Sequence, residues 1–170
     1  MARVVLTGFM ATGKTEVGRR LAARLGCPFV DTDAIIEDGE RRSVADIFAA
    51  DGEAHFRRLE RAAVERACGV ADAVVATGGG TLVDPESRRR LAAAGPIVCL
   101  TAAPEEIARR IGDAANRPLL AGANGDRLAR IRALLAERAP VYASAAHRVD
   151  TSGLALDEVV ERVCALVAGK

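Results

Sequence analysis

An eight-residue motif near the N-terminus constrains the fold more than any other feature of the chain. Residues Gly8–Thr15 read GFMATGKT, which fits the pattern G-x-x-x-x-G-K-[ST], and they follow the apolar run Val4–Leu6. This pattern is typical of a loop that joins a buried strand to a helix and surrounds phosphate oxygens with backbone N–H groups. The sequence therefore predicts a strand, a phosphate-binding loop and a helix, in that order.

The residue types in this loop suit a polyphosphate ligand. Glycines at both ends allow backbone N–H groups to turn inward, Lys14 is long enough to reach the β and γ phosphates, and the Thr15 hydroxyl suits Mg²⁺. A helix that begins at Lys14 adds the positive end of its dipole. The loop residues expected to contact a nucleotide are Gly8, Ala11, Thr12, Gly13, Lys14, Thr15 and Glu16.

Ala11 departs from many loops of this kind, which have glycine at this position. An alanine there would cost about 1 kcal/mol if its backbone needed a positive φ. We expect a local adjustment of the loop and no loss of binding.

Composition excludes several other classes of protein. A chain of 170 residues favours a single domain, so a substrate-binding part must be an insertion. A formal net charge of +1 provides no general attraction for nucleic acid or a membrane surface. There is no apolar run of about 20 residues and no leader peptide pattern. We therefore expect a soluble, cytoplasmic monomer whose partners are small molecules.

Short β-branched runs alternate with longer segments rich in Ala, Leu and Arg. The predicted strands are Val4–Leu6, Phe29–Val30, Val74–Val75, Ile97–Leu100 and Arg148–Val149. The predicted helices are Lys14–Leu25, Ser43–Ala50, Glu53–Ala67, Ser87–Ala94, Glu105–Ile111, Asp126–Ala139 and Leu156–Val167. This alternation indicates an α/β fold, with a parallel sheet and helices on both faces.

Two segments interrupt the alternation. Residues 33–71 form a long helical insertion with many charges of both signs, large enough to line a second ligand pocket. Residues 112–125 are polar, contain glycine at both ends and lie between two helices, which is typical of a mobile lid.

Polar motifs follow three of the predicted strands. Asp31-Thr32-Asp33 follows the second strand and Thr77–Gly80 follows the third, while the phosphate loop follows the first. Ligands bind at the carboxyl ends of such strands, so we expect these motifs to be neighbours. Asp31 would hold Mg²⁺ through water and Asp33 would engage an acceptor hydroxyl. A helix cap and a tight turn are the structural alternatives for the two motifs.

Three arginines lie near the edges of this predicted site. Arg57, Arg117 and Arg138 could each donate two parallel hydrogen bonds to a carboxylate or phosphate. In an arginine-rich chain, each of them taken alone is better explained as a solvated surface residue.

Taken together and in this order, the motifs resemble those of shikimate kinase. The resemblance runs from Gly8 to about Thr151 and rests on the phosphate loop and on Asp31–Asp33, Gly52-Glu53, Phe56–Arg58, Glu60, Thr77–Gly80, Arg117–Leu120 and Arg138–Tyr142. It implies a P-loop kinase fold, a three-layer sandwich with a five-stranded parallel sheet, an inserted shikimate-binding segment and a lid. It also implies transfer of a phosphoryl group from ATP to the 3-hydroxyl of shikimate, with Mg²⁺, in the pathway to chorismate and aromatic amino acids.

The resemblance further implies roles for individual residues. Lys14, Asp33 and Arg117 would be catalytic, and Asp31 and Thr15 would serve Mg²⁺. Arg110 would lie against adenine, and lid Arg117 would approach both substrates. The residues expected to bind shikimate are Asp33, Arg57, Glu60, Gly79, Gly80, Arg117 and Arg138, with Glu60 orienting Arg57.

Other functions stay open on the sequence alone. A gluconate kinase would use the same scaffold and a similar acceptor, but the glycine triplet and Phe56–Arg58 argue against it. A nucleoside monophosphate kinase or a GTPase fits less well, because the lid is short and an Asn-Lys-x-Asp base-reading motif is missing. A non-catalytic sensor of ATP or shikimate is the alternative from a different class.

Overall fold

Strands and helices alternate along the chain in a computed structural model that describes residues 4–112, 120 and 126–168. The strands are β1 (Val4–Gly8), β2 (Phe29–Asp31), β3 (Val74–Ala76), β4 (Ile97–Thr101) and β5 (His147–Asp150). The α-helices are α1 (Lys14–Leu25), α2 (Thr32–Glu40), α3 (Val44–Gly69), α4 (Pro85–Ala94), α5 (Pro104–Ile111), α6 (Arg127–Ala143) and α7 (Leu156–Ala168). A short 3-10 helix covers Thr81–Val83.

The described strands form one parallel sheet in the order β2-β3-β1-β4-β5. Strand β1 lies in the centre, where Val5 is in register with Val75 of β3 and with Ile97 of β4. From β1 the chain first builds one side of the sheet, with β2 and β3, and then the other side, with β4 and β5. Such a change of direction opens a crevice at the carboxyl end of the central strand, where the phosphate loop lies.

Helices cover both faces of this sheet, and alternate residues of β1 face opposite layers. Val4 and Leu6 belong to a buried cluster with side chains of α1 and α7. Val5 belongs to a second cluster with side chains of α3 and α4. Burial on both faces explains why the strands are apolar without alternation. Among the described residues, no helix has the combined length and apolar character needed to cross a membrane.

The predicted α/β fold with a five-stranded parallel sheet is confirmed. All five predicted strands and all seven predicted helices have counterparts, with ends that differ by a few residues. The segment between β2 and β3 is helical, as expected for the insertion. The predicted lid lies outside the described residues except for Gly112 and Leu120.

The insertion differs from the prediction in one respect, because it contains the additional helix α2. Its first residues follow directly from β2, and the Asp31 side chain caps it by accepting a hydrogen bond from the Asp33 N–H at 3.0 Å. The two other helices predicted here are the two parts of α3. They meet at Gly52, whose φ of 79° and ψ of 172° are not helical.

The predicted end of α6 at Ala139 is wrong, because the helix continues through Pro140 to Ala143. Proline lacks an N–H and usually breaks a helix interior. Here it lies in the last turn, and the residues beyond it are held by tertiary contacts. Among these, Tyr142 is buried and donates a hydrogen bond to the carbonyl of Gly79 at 2.5 Å.

Gly18 provides a test of how tightly α1 packs on the sheet. A Cβ atom at this position would lie 2.3 Å from the Phe29 ring, whereas one at Gly39 in α2 would meet nothing within 4 Å. We expect Gly18→Ala to lower the free energy of unfolding by about 1–3 kcal/mol through overpacking. The control Gly39→Ala should raise it by about 0.5–1 kcal/mol through helix propensity. Urea unfolding measures both, and a Gly18→Ala variant as stable as the wild type would contradict the packing.

Candidate active site

One large cavity lies at the carboxyl ends of the strands and brings the predicted motifs together. Its volume is about 860 Å³. Its wall combines the phosphate loop, the end of β2, the turn after β3 and the inserted helices. Residues that line it include Met10, Thr15, Asp31, Asp33, Arg57, Glu60, Gly78, Gly79, Gly80 and Arg138. The expectation that the three strand-end motifs are neighbours is therefore correct.

The phosphate loop has the backbone conformation that its glycines predict. Gly8 and Gly13 have positive φ values, 134° and 92°. A Cβ at Gly8 would lie 2.1 Å from the Leu100 carbonyl oxygen on β4, so only glycine fits there. Gly13 is the N-cap of α1, and because glycine has no capping side chain, the first N–H groups of the helix remain available to an anion.

Ala11 meets the condition under which strain was expected. Its φ is 60°, in the left-handed region that alanine disfavours. The carbonyl of the same residue accepts a hydrogen bond from Arg110 Nη1 at 3.2 Å. This contact holds the loop in the conformation that an alanine would otherwise avoid.

Side-chain hydrogen bonds also hold the loop closed on itself. Thr12 Oγ1 and Lys14 Nζ each donate to the Phe9 carbonyl oxygen at 2.8 Å. Lys14 thus folds back onto the loop that precedes it. Glu16 is exposed, in the first turn of α1, and pairs with Arg20 at 3.8 Å.

Asp31 and Thr15 provide a pair of adjacent oxygen ligands. Thr15 Oγ1 donates to Asp31 Oδ2 at 2.9 Å, while Asp31 Oδ1 accepts from the Asp33 N–H. A hydroxyl and a carboxylate beside a phosphate site suit Mg²⁺, which takes one or two protein oxygens and completes its shell with phosphates and water. No cluster of three or more His, Cys, Asp or Glu that could hold a metal by itself occurs among the described residues.

Asp33 is the most electrostatically perturbed carboxylate in the cavity. Within the described part of the chain, its Oδ1 is buried and has no hydrogen-bond partner. Burial, together with the negative charges of Asp31 and Glu60, raises its pKa from 3.8 to about 6, although Lys14 opposes the shift. An unpaired buried carboxylate oxygen that faces a cavity is a site for a hydrogen-bond donor from a ligand.

Arg57 is held in the cavity wall by carboxylates of its own helix, α3. Its Nη1 donates to Glu60 Oε2 at 2.8 Å and its Nη2 donates to Glu53 Oε1 at 3.0 Å. Glu60 is only 2% exposed, and its other oxygen accepts a hydrogen bond from Thr81 Oγ1 at 2.7 Å. Burial lowers the pKa of Arg57, but Glu60 and Glu53 raise it more, so its charge is retained.

Arg138 reaches the same cavity from the opposite side. It extends from α6, is 5% exposed, and its guanidinium lies 5.5 Å from the centre of the Phe9 ring. A Cβ at Gly79 would lie 3.2 Å from Arg138 Nη1, and one at Gly80 would lie 2.9 Å from both Nη1 and Nη2 of Arg57. Because Gly79 and Gly80 are consecutive, the two guanidinium groups converge on one turn.

A second, smaller cavity also borders the phosphate loop. Its volume is about 230 Å³, and it is lined by Ala11, Thr12, Gly13, Val17, Arg110, Thr151, Leu154, Leu156 and Val159. Arg110 Nη1 donates to Thr151 Oγ1 at 2.9 Å and its Nη2 donates to the Thr151 carbonyl at 2.9 Å. Arg110 therefore joins the phosphate loop to the segment after β5 at the edge of an apolar slot.

Most of the residues predicted for the site line one of the two cavities. Arg117, which was also predicted for the site, lies outside the described residues. Glu53, Thr81 and Tyr142 contact residues of the site, although the sequence predicts no role for them. Glu53 precedes Arg57 by four residues, a spacing that pairs charges on a helix and could have indicated the contact. Thr81 and Tyr142 become relevant only through the tertiary packing.

Comparison with known proteins points to one family. A family model described as shikimate kinase matches residues 10–168. The shikimate kinase of Pelotomaculum thermopropionicum is 48% identical over 163 residues, covering 96% of this chain and 94% of that protein. The shikimate kinase of Geobacter metallireducens is 46% identical over 168 residues, covering 98% and 92%.

Comparison with solved structures points to the same family. The structure of shikimate kinase from Acinetobacter baumannii in complex with shikimate has a TM-score of 0.94 to this structure, with 31% sequence identity, and the match covers 99% of this chain and 94% of the other. The family model matches most of the chain, and the alignments with the relatives cover almost the whole of each protein. The chain belongs to the shikimate kinase family.

Proposed function

We propose that this chain transfers the γ-phosphoryl group of ATP to the 3-hydroxyl of shikimate, giving ADP and shikimate 3-phosphate in the pathway to chorismate. The observation that carries the proposal is the convergence of Arg57 and Arg138 on one turn, in a cavity shared with Asp33 and the phosphate loop. Membership of the family favours shikimate over the gluconate and nucleoside monophosphate acceptors that the sequence left open.

ATP is proposed to lie along the phosphate loop and the start of α1. The backbone of residues 8–13, with Lys14 and the adjoining residues Thr15 and Glu16, would contact the phosphates. The apolar slot beside Arg110 would hold the adenine ring, because it borders the loop and is lined by Leu154, Leu156 and Val159. Arg110 would then border the base while its hydrogen bonds keep Ala11 in place.

Shikimate is proposed to bind in the large cavity, with its carboxylate between Arg57 and Arg138. Guanidinium groups bind carboxylates through paired hydrogen bonds, and both groups here are positioned by the protein before a ligand arrives. Glu60 would orient Arg57, as their 2.8 Å contact suggests. Gly79 and Gly80 would line the pocket because a side chain at either position would fill the space beside the arginines.

Asp33 is proposed to position the attacking hydroxyl. Its buried Oδ1 has no partner among the described residues and can accept the hydrogen bond of a substrate hydroxyl. Phosphoryl transfer passes through a loose transition state, for which alignment of the nucleophile matters more than strong base catalysis. A carboxylate with a pKa near 6 can hold the hydroxyl and receive its proton as the new bond to phosphorus forms.

Mg²⁺ is proposed to bind beside Thr15 and Asp31, whose oxygens are adjacent. When bound, it would neutralise charge on the phosphate oxygens. Lys14 would add positive charge from the loop, and lid Arg117 would do so from a segment outside the described residues. We also propose that the protein acts as a cytoplasmic monomer, without a nucleic acid or membrane partner.

Release of ADP by the purified protein with Mg-ATP tests this function directly. Three reactions are compared, with shikimate, with gluconate and without an acceptor. We expect turnover only with shikimate. Turnover with gluconate alone would reassign the acceptor pocket, and ATP binding without acceptor-dependent ADP would favour the sensor alternative.

Substitution of Arg138 tests the carboxylate clamp. We expect Arg138→Lys to raise the shikimate KM about tenfold or more with a similar ATP KM, because lysine cannot form the paired hydrogen bonds of a guanidinium. Arg132→Lys is the matched control, since Arg132 is exposed on the same helix and pairs with Glu105. An unchanged shikimate KM in Arg138→Lys would argue against the clamp.

Asp33→Asn tests whether the Asp33 carboxylate is needed for activity and at the same time lowers the stability of the folded protein. In the folded protein the ionised carboxylate is disfavoured, so wild-type stability should fall as pH rises from about 4 to about 6 and remain at the lower value above that. At pH 7, without metal or nucleotide, the variant should be more stable by on the order of 1–3 kcal/mol, yet its kcat/KM should drop by several orders of magnitude.

Unfolding curves at pH 4 and pH 7 and an activity assay give both quantities. The stability difference between variant and wild type should be small at pH 4 and develop by pH 7. A variant with normal turnover would remove Asp33 from the mechanism, and an equal stability difference at both pH values would contradict the assigned electrostatics.

A further inference from the structure

Tyr142 makes a contact that joins the two sides of the acceptor cavity. Its side chain is 7% exposed and belongs to the same buried cluster as Phe9 of the phosphate loop. Its hydroxyl donates a hydrogen bond to the carbonyl oxygen of Gly79 at 2.5 Å, across 63 positions of sequence. The contact therefore links α6 to the turn that follows β3.

Arg138 and Tyr142 act from one face of the helix. They are four residues apart on α6, a spacing that puts side chains next to each other. Arg138 Nη1 lies beside Gly79, where an added Cβ would be 3.2 Å away, and Tyr142 holds the carbonyl of the same residue. The two side chains thus contact Gly79 from the same element.

The Gly79 peptide lies between two backbone hydrogen bonds of the turn, which Gly78 O accepts from Thr81 N at 3.3 Å and Gly80 O accepts from Val83 N at 3.0 Å. Without a side chain it can rotate more freely than other residues, and its near neighbours are backbone atoms of the phosphate loop, Gly8 O and Met10 N, at 3.2 and 3.5 Å from an added Cβ. A rotation of this peptide would alter the surface against which the Arg138 guanidinium lies. The phenol hydrogen bond opposes that rotation.

The Tyr142 hydroxyl remains protonated and can therefore act as a hydrogen-bond donor. Burial raises the pKa of Tyr142 to about 12, while the Arg138 charge and a side-chain hydrogen bond with Arg138 act in the opposite direction. The hydroxyl therefore keeps its proton at neutral pH. A buried tyrosine hydroxyl normally has a partner, and here that partner belongs to the site.

We propose that Tyr142 is a positioning residue for the acceptor: its hydroxyl fixes the Gly79 peptide and thereby holds Arg138 ready to bind the acceptor carboxylate. The proposal rests on the proposed function, since it assigns Tyr142 to the carboxylate clamp of that site. Tyr142 itself is not among the described residues that line the cavity. Its loss should therefore affect acceptor binding more than the chemical step.

Tyr142→Phe removes the hydroxyl and retains the ring. We expect the shikimate KM to rise about 5- to 20-fold, with kcat and the ATP KM within about twofold of the wild type. The KM rises because part of the free energy of shikimate binding must then be used to order Arg138. Steady-state kinetics with each substrate varied in turn measure these quantities. A thermal unfolding curve checks that the variant is folded at the assay temperature.

Ser87→Ala is the matched control for a general loss of stability. Ser87 is also buried, and its hydroxyl donates to Asp84 Oδ2 at 2.8 Å, at the start of α4 and away from the cavity lining. We expect this variant to lose stability like Tyr142→Phe but to keep the shikimate KM of the wild type. An equal rise of KM in both variants would overturn the positioning role.

A double-mutant cycle with Arg138→Lys identifies the route of the effect. If Tyr142 acts on the acceptor through Arg138, Tyr142→Phe should raise the shikimate KM less than twofold further when Arg138 is already lysine. Multiplicative effects of the two substitutions would overturn the proposal.

The outcomes also separate this proposal from the function on which it rests. A wild type without shikimate-dependent turnover would overturn both. A wild type that phosphorylates shikimate, with a Tyr142→Phe variant whose shikimate KM stays within twofold, would overturn the positioning role alone.

Discussion

Close approach of backbone to charged side chains at residues 78–80 is the constraint on which the site depends. An added Cβ anywhere in this turn would lie between 2.9 and 3.2 Å from a charged group. The groups in contact, in order along the turn, are Glu60 and Asp33, then Arg138, then Arg57. Because the residues of this turn have no side chains, acidic and basic groups from three helices can reach one cavity without filling it.

The charges in this cavity are not equally satisfied, and the difference separates structural from chemical roles. Glu60 is buried but has Arg57 on one oxygen and Thr81 on the other. Burying the Glu60 carboxylate costs desolvation free energy, which its hydrogen bonds with Arg57 and Thr81 offset. The buried pair in turn keeps the Arg57 side chain in one position. Asp33 Oδ1 has no hydrogen-bond partner among the described residues, so its burial has a free-energy cost that a hydrogen bond from a ligand can offset. Unsatisfied buried groups of this kind are concentrated at functional sites.

Local patterns were sufficient for most of the fold and for the location of the site. The glycines and lysine of the phosphate loop, the apolar strands and the polar residues after them can be read in sequence because each depends on short-range spacing. Two features of the helices were not predicted, namely helix α2 and the last turn of α6. The α2 helix begins without a break after β2, and α6 continues through Pro140 because Tyr142 is anchored on Gly79.

The sequence by itself determined the phosphate loop, the strand-and-helix alternation and the edge of the sheet at which the polar motifs meet, because these follow from residue type and from the fixed geometry of parallel strands. Only the tertiary structure decided that Asp33 Oδ1 is buried without a hydrogen-bond partner among the described residues, that Arg57 and Arg138 meet at one turn, and that Tyr142 holds the peptide between them. These properties depend on burial and on contacts between residues up to 63 positions apart, which no local spacing encodes.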